Sequence, residues 1–141
     1  MGYNVILDMS RMHIPYPSIG VVSSRGYIAK NRDTVIRFLQ AYLEAIRDLK
    51  KEKERTVRVL AKYLKMDLES NREVLYDTYD QSVASEVIEK KPYPNLDGIK
   101  FAVDLVAQQR NISTVPDPKN FLDTTLLEEL DRSRFIDKLY Q

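Results

Sequence analysis

Cysteine and tryptophan are absent from this chain, histidine occurs once and glycine only four times. Each shortage removes a class of chemistry. Without cysteine there is no disulfide framework, no thiolate metal site and no thiol nucleophile. With one histidine, His13, there is no pair to anchor a transition metal, and neighbours such as Asp8 supply too few ligands. Four glycines leave little room for a phosphate-cradling loop, and no P-loop, G-x-G-x-x-G, G-x-S-x-G or H-E-x-x-H pattern occurs. An excess of either charge is missing too. Twenty-two basic residues face 21 acidic ones, so no global field draws the chain to nucleic acid or an anionic membrane. There is no basic segment followed by an apolar core near Met1, and no apolar run long enough to cross a bilayer. No catalytic apparatus, metal site or cofactor site is visible, and the reading is a non-enzyme.

What is present is an ordinary globular composition, 43% hydrophobic and 30% charged over 141 residues, enough for one hydrophobic core. Tyr3 to Met9 (YNVILDM) is a short apolar run suited to a buried strand, and Ile19 to Ser24 (IGVVSS) is β-rich around Val21 and Val22. Between them, Pro15 and Pro17 impose a loop. Residues 25–29 either extend the second strand or begin a helical turn. From Asn31, read as an N-cap, Val35, Phe38, Leu39, Tyr42, Leu43, Ile46 and Leu49 recur at helical spacing. A charged junction over Lys50 to Arg55 precedes a second stripe, Val57, Leu60, Ala61 and Leu64. Asp67, Ser70 and Glu73 cap a third helix carrying Val74, Leu75 and Thr78. Ser82 to Lys91 reads as a loop with a brief extended piece.

A second Pro-Tyr-Pro turn at Pro92-Tyr93-Pro94 leads to a helix started by Asn95 or Asp97, with Ile99, Val103, Leu105 and Val106 expected inside. Asp117-Pro118 is a helix-start signal. Thr124 or Thr125 caps Leu126 to Leu130, and Phe135 to Leu139 is a final apolar turn. The expected fold class is an α/β fragment, mainly helical: two short N-terminal strands followed by five or six helices.

The carboxylate pairs Glu128/Glu129 and Asp77/Asp80 fall on helices and are expected to face solvent. The basic run Lys50, Lys51, Lys53, Arg55, Arg58, Lys62 and Lys65 is diluted by Glu52 and Glu54, with Tyr63 the only interleaved aromatic. It is read as a solvated helix junction, and nucleic acid is not an expected partner. Asn111-Ile112-Ser113 matches a short glycosylation sequon of little weight. Of the nine tyrosines, Tyr42 and Tyr63 are assigned to packing. Tyr16 and Tyr93, each between two prolines, are the ones placed to present a ring to a ligand or a neighbouring domain, with a structural turn anchor as the competing role. His13 is read as a surface or ligand-facing loop histidine.

The stretches IPYPSIGVVSSRGYIAKNRDTVIRFLQAYLEAI, VLAKYLKMD, PYPNLDGIKFAVD and DPKNFLDTTLLEELDRSRFIDKLY resemble, in this order and spacing, the C-terminal portion of ABC-transporter solute-binding proteins. The subgroup is the nitrate/sulfonate/taurine type, which includes the thiamine-pyrimidine synthase-like proteins. The resemblance spans residues 1–141 and implies part of a two-lobed, type II periplasmic-binding fold, with return crossing strands followed by C-terminal helices. The family's N-terminal half has no counterpart here. It implies capture of a small anion or heterocyclic metabolite, delivery to an ABC permease at the membrane, and a periplasmic or membrane-anchored extracytoplasmic location for the parent. Ser10 to Gly20, hence His13, Tyr16 and Ser18, and the loop around Tyr93 are the parts it brings near a cleft. The alternatives are a pyrimidine-synthase-like enzyme, whose cysteine motif finds no match here, and a free-standing helical interaction module. Two strands without sheet partners would leave exposed edges and unburied apolar faces, so the isolated chain is expected to self-associate or to be marginally stable.

Overall fold

The computed structural model describes residues 6, 15, 17, 20–84 and 88–141. Among these the protein is mainly helical, with seven α-helices and no strand: α1 (Arg25–Lys30), α2 (Arg32–Lys51), α3 (Lys53–Leu64), α4 (Arg72–Tyr79), α5 (Leu96–Gln109), α6 (Thr125–Arg132) and α7 (Phe135–Leu139). The first expected strand lies outside the described residues except for Ile6, which is exposed. The second is corrected over its described part. Residues 20–24 are irregular, and Val22 is 93% exposed. The local reason is that Ser24 is committed to a cap. Its Oγ accepts from the Tyr27 amide at 3.1 Å and starts α1, ending any extended run.

Asn31 stands at the N-cap position of α2 as expected, its carbonyl accepting from the Val35 amide, but its side chain makes no cap bond there. It also closes α1, its amide donating to Tyr27 O, and its side chain donates to that carbonyl instead. Along α2, Leu43 and Ile46 are buried as the spacing predicts, whereas Phe38 is exposed. The charged junction is a true break at Glu52 (φ −109°, ψ 63°). A helix end leaves carbonyls without intrahelical partners. Here the buried Thr56 hydroxyl donates to Leu49 O, and the buried Tyr79 hydroxyl donates to Lys50 O. The break is thereby stitched from both sides.

α3 ends at Lys65 in the left-handed region (φ 55°), with Met66 N donating back to Ala61 O, a Schellman-type close. Val57 and Ala61 are buried, but Leu64 and Tyr63 are exposed, so the packing role expected of Tyr63 is corrected. The cap expected at Asp67 is corrected: α4 starts from Asn71 without a side-chain cap, and Asp67 instead closes the preceding turn, its Oδ1 accepting from both the amide and the hydroxyl of Ser70. On α4, Leu75 and Tyr79 are buried and Val74 is exposed. The chain then continues as a π-helix, Asp80–Ala84, in place of the expected extended piece. Val87 lies outside the described residues.

The chain divides into two compact units. Ser23–Pro92 with Thr125–Gln141 holds two hydrophobic clusters. One is centred on Val57, Leu75, Tyr79 and Val83. The other joins Leu43 of α2 to Leu127 and Leu130 of α6 and Ile136 of α7. Arg32 and Glu129 add an ion pair between α2 and α6. The second unit comprises Tyr93–Thr124 with residues up to Val22. In its helix α5, only Gly98 and Ala107 are buried. Ile99, Val103 and Leu105 are half-buried, and Val106, expected inside, is exposed. A 3-10 turn, Pro118–Phe121, packs against α5 and is capped by Asp117, whose carboxylate accepts from the Lys119 amide at 2.9 Å.

Candidate functional site

Pro15, Pro17 and the loop bearing Tyr93 are brought to the first turn of α5. Pro94 restricts Tyr93 to extended backbone, and Asn95 comes next, in the extended region (φ −82°, ψ 115°). From there the Asn95 side chain accepts from the amides of Asp97 at 2.9 Å and Gly98 at 3.4 Å. Gly98 is the contact point. A Cβ built on it would lie 3.2 Å from the carbonyl oxygen of Pro15 and 3.4 Å from Cδ of Pro17. Pro15 and Pro17 are therefore seated against the helix that begins just after Pro94, within the same unit.

Of the four residues expected to meet a ligand, His13, Tyr16 and Ser18 lie outside the described residues. Tyr93 is 36% exposed at the entry to α5. The sequence reading missed Gly98, although a signal was present. Glycine costs a helix interior about 1 kcal/mol relative to alanine, so Gly98 in L-D-G-I-K marks a position where a close neighbour outweighs propensity.

The electrostatics of this turn are set by Asn95 and Asp97. Asn95 already occupies two of the amides that α5 could offer, and Asp97 places a carboxylate in the first turn beside the positive end of the helix dipole. Lys91, the nearest preceding cation in the chain, belongs to the other unit and is engaged there. Its Nζ lies 2.6 Å from Asp131 and 3.2 Å from Asp137, and these two hydrogen bonds, Asp131 first, raise its pKa above the ordinary lysine value. The described part of the turn offers aromatic surface and hydrogen-bonding groups rather than free positive charge.

Elsewhere, the titratable clusters are tuned away from neutral chemistry. Lys53 bonds Asp80 at 2.7 Å over the rings of Tyr76 and Tyr79, which raises its pKa. Tyr76 donates to Glu54, which raises the phenol's pKa. The Tyr140 hydroxyl is buried with no hydrogen-bond partner among the described residues, and desolvation raises its pKa as well, with Lys51 and Lys90 near the ring. Hydrogen bonds from Ser70 lower Asp67. Among the described residues, Lys53, Asp67, Tyr76, Lys91 and Tyr140 are each moved further from pH 7, whereas a general acid or base works with a pKa near the operating pH. Glu128, Glu129, Asp77 and Asp80 are exposed, as expected. Among the described residues no group of three or more His, Cys, Asp or Glu gathers as a metal site. None of the described helices is long and apolar enough to cross a membrane. No family model, no curated protein and no solved structure matches this chain.

Proposed function

We propose that this chain forms part of the solute-binding component of an ABC importer, of the nitrate/sulfonate/taurine type, and that its two Pro-Tyr-Pro segments contribute to one edge of the solute site. The observation that carries the reading is the ordered resemblance over residues 1–141, from IPYPSIGVV to the closing FLDTTLLEELDRSRFIDKLY. The close approach of Pro15 and Pro17 to Gly98 supports it, because a segment far away in sequence reaches the first turn of the helix that follows Tyr93. In this reading the parent works outside the cytoplasm on a type II periplasmic-binding fold, closes its lobes on a small molecule and passes it to a membrane permease. Of the two solute classes, a heterocyclic metabolite suits the described turn better than an anion. Tyr93 supplies a ring face, while Asn95 and Asp97 have already filled and shielded the α5 amides.

The test is ligand-induced stabilisation of the longest natural protein containing this sequence. Thermal melts are run against nitrate, taurine, alkanesulfonates, and pyrimidine and purine heterocycles. A rise in Tm with one class is expected, and Tyr93→Ala weakens the apparent affinity about three- to tenfold. A flat response across the whole panel overturns the reading.

A further inference from the structure

Helix α3 turns one face to the protein core and a chemically distinct face to solvent. At about 100° per residue, Arg55, Arg58 and Lys62 fall within about 60° of one another, and Val59 and Tyr63 lie alongside them. Val59 is 42% and Tyr63 78% exposed, so an aliphatic and an aromatic side chain stand in water beside three cations. No carboxylate of α3 shares this arc. Glu54 lies on its far edge and accepts the Tyr76 hydroxyl. Arg55 has one carboxylate contact, Asp48 at 3.4 Å, and Asp48 is bonded more closely by Arg47 at 2.7 Å. Among the described residues, neither Arg58 nor Lys62 has a carboxylate within ion-pair distance.

We propose that the outer face of α3 docks onto an anionic bilayer surface. Cations interleaved with exposed apolar side chains on one helix face match the headgroup layer, where the charges meet anionic lipid while Tyr63 and Val59 enter the interface. The face is the convex side of a single helix. A planar charged surface can meet it directly, whereas an acidic peptide would need a groove to lie in. A single-stranded nucleic acid would find one aromatic ring to stack on and no use for Val59. The contact is peripheral and reversible, each cation contributing about fivefold to partition near an anionic surface. The α3 face belongs to the larger unit, and its docking does not rest on the solute-site reading.

The experiment is co-flotation of the 141-residue chain with vesicles of phosphatidylcholine alone and of phosphatidylcholine with about one-third phosphatidylglycerol. Binding to the anionic vesicles only is expected, strong at low salt and lost at high salt, where charges are screened. Arg58→Gln with Lys62→Gln weakens partition about 25-fold, and Tyr63→Ser weakens it further, with far-ultraviolet circular dichroism unchanged. Equal binding to neutral vesicles overturns the proposal, since apolar adhesion elsewhere would explain it. So does a double variant that binds like the parent chain. Retention of a single-stranded oligonucleotide with the same salt and variant dependence, in the absence of vesicle binding, overturns it in favour of nucleic acid.

Discussion

A side chain at position 98 has two opposing effects, and their sizes decide the outcome. Alanine would gain about 1 kcal/mol of helix propensity over glycine. Its Cβ would also press on the Pro15 carbonyl oxygen at 3.2 Å and on Pro17 Cδ at 3.4 Å. A backbone carbonyl held between prolines has little freedom to withdraw, so Gly98→Ala is expected to yield no net stabilisation. Gly98→Leu is expected to lose about 1–3 kcal/mol through overpacking. Urea denaturation measures both, and an alanine variant stabilised by the full propensity gain would refute the close approach. Asp67 gives a residue-scale pH dependence. Hydrogen bonds from Ser70 depress its pKa below the ordinary value of 3.8. A depressed carboxylate stabilises the fold above its unfolded pKa, and that contribution is lost as the pH falls through the folded value. Asp67→Asn therefore lowers Tm at pH 7, and the difference between the two proteins shrinks below pH 3.8. Melts at pH 7 and pH 3 test the sign.

At the scale of elements, the two clusters of the larger unit concentrate stability in few side chains. Leu43 and Leu75 are almost completely buried, and truncating either to alanine is expected to cost about 2–5 kcal/mol. Val74, next to Leu75 but exposed, is expected to cost under about 0.5 kcal/mol on the same substitution. Tyr79→Phe removes the hydroxyl that satisfies Lys50 O at the α2–α3 break and should cost about 1 kcal/mol. Denaturant midpoints order the four variants. Periodicity made α2, α3, α6 and α7 legible, because Leu43, Ile46, Val57, Leu130 and Ile136 repeat at helical steps on faces that the fold buries. The π-helix at Asp80–Ala84 was not legible, since Val83 is drawn inward by a cluster assembled from other elements. The strand expected before α1 failed on a local detail. A β-rich V-V-S-S read as extended does not reveal that the second serine will cap a helix, and the apolar valines alone cannot hold a strand without a neighbour. For the candidate site, the prolines and Asn95 could be read directly, whereas the contact at Gly98 required knowing which loop would arrive there.

At the scale of the whole molecule, burial among the described residues is unevenly distributed between the two units, and this has consequences for dynamics and association. The larger unit contains both clusters of buried side chains. In the smaller one, α5 is apolar around most of its circumference, with Asp97, Lys100, Asp104 and Gln108 forming one narrow stripe and Gln109 lying apart at its end. Yet Leu96, Phe101 and Val106 are exposed on α5, as are Ile112, Val115 and Phe121 beyond it. A helix with so little buried apolar contact opens at low free energy, so amides of residues 97–109 are expected to exchange with deuterium well before those of α2 and α3. The same exposed side chains favour association, because apolar surface left in water gains about 25 cal/mol per Å² when another surface covers it. Sedimentation of the 141-residue chain is expected to show an average mass that rises with concentration. Phe101→Ser with Val106→Ser should return it toward the monomer while leaving the midpoint of the larger unit in place. If that double variant associates as strongly as the parent chain, the adhesive surface lies elsewhere. If the parent is monomeric at high concentration and α5 exchanges as slowly as α2, then α5 is stabilised well beyond what its own packing provides.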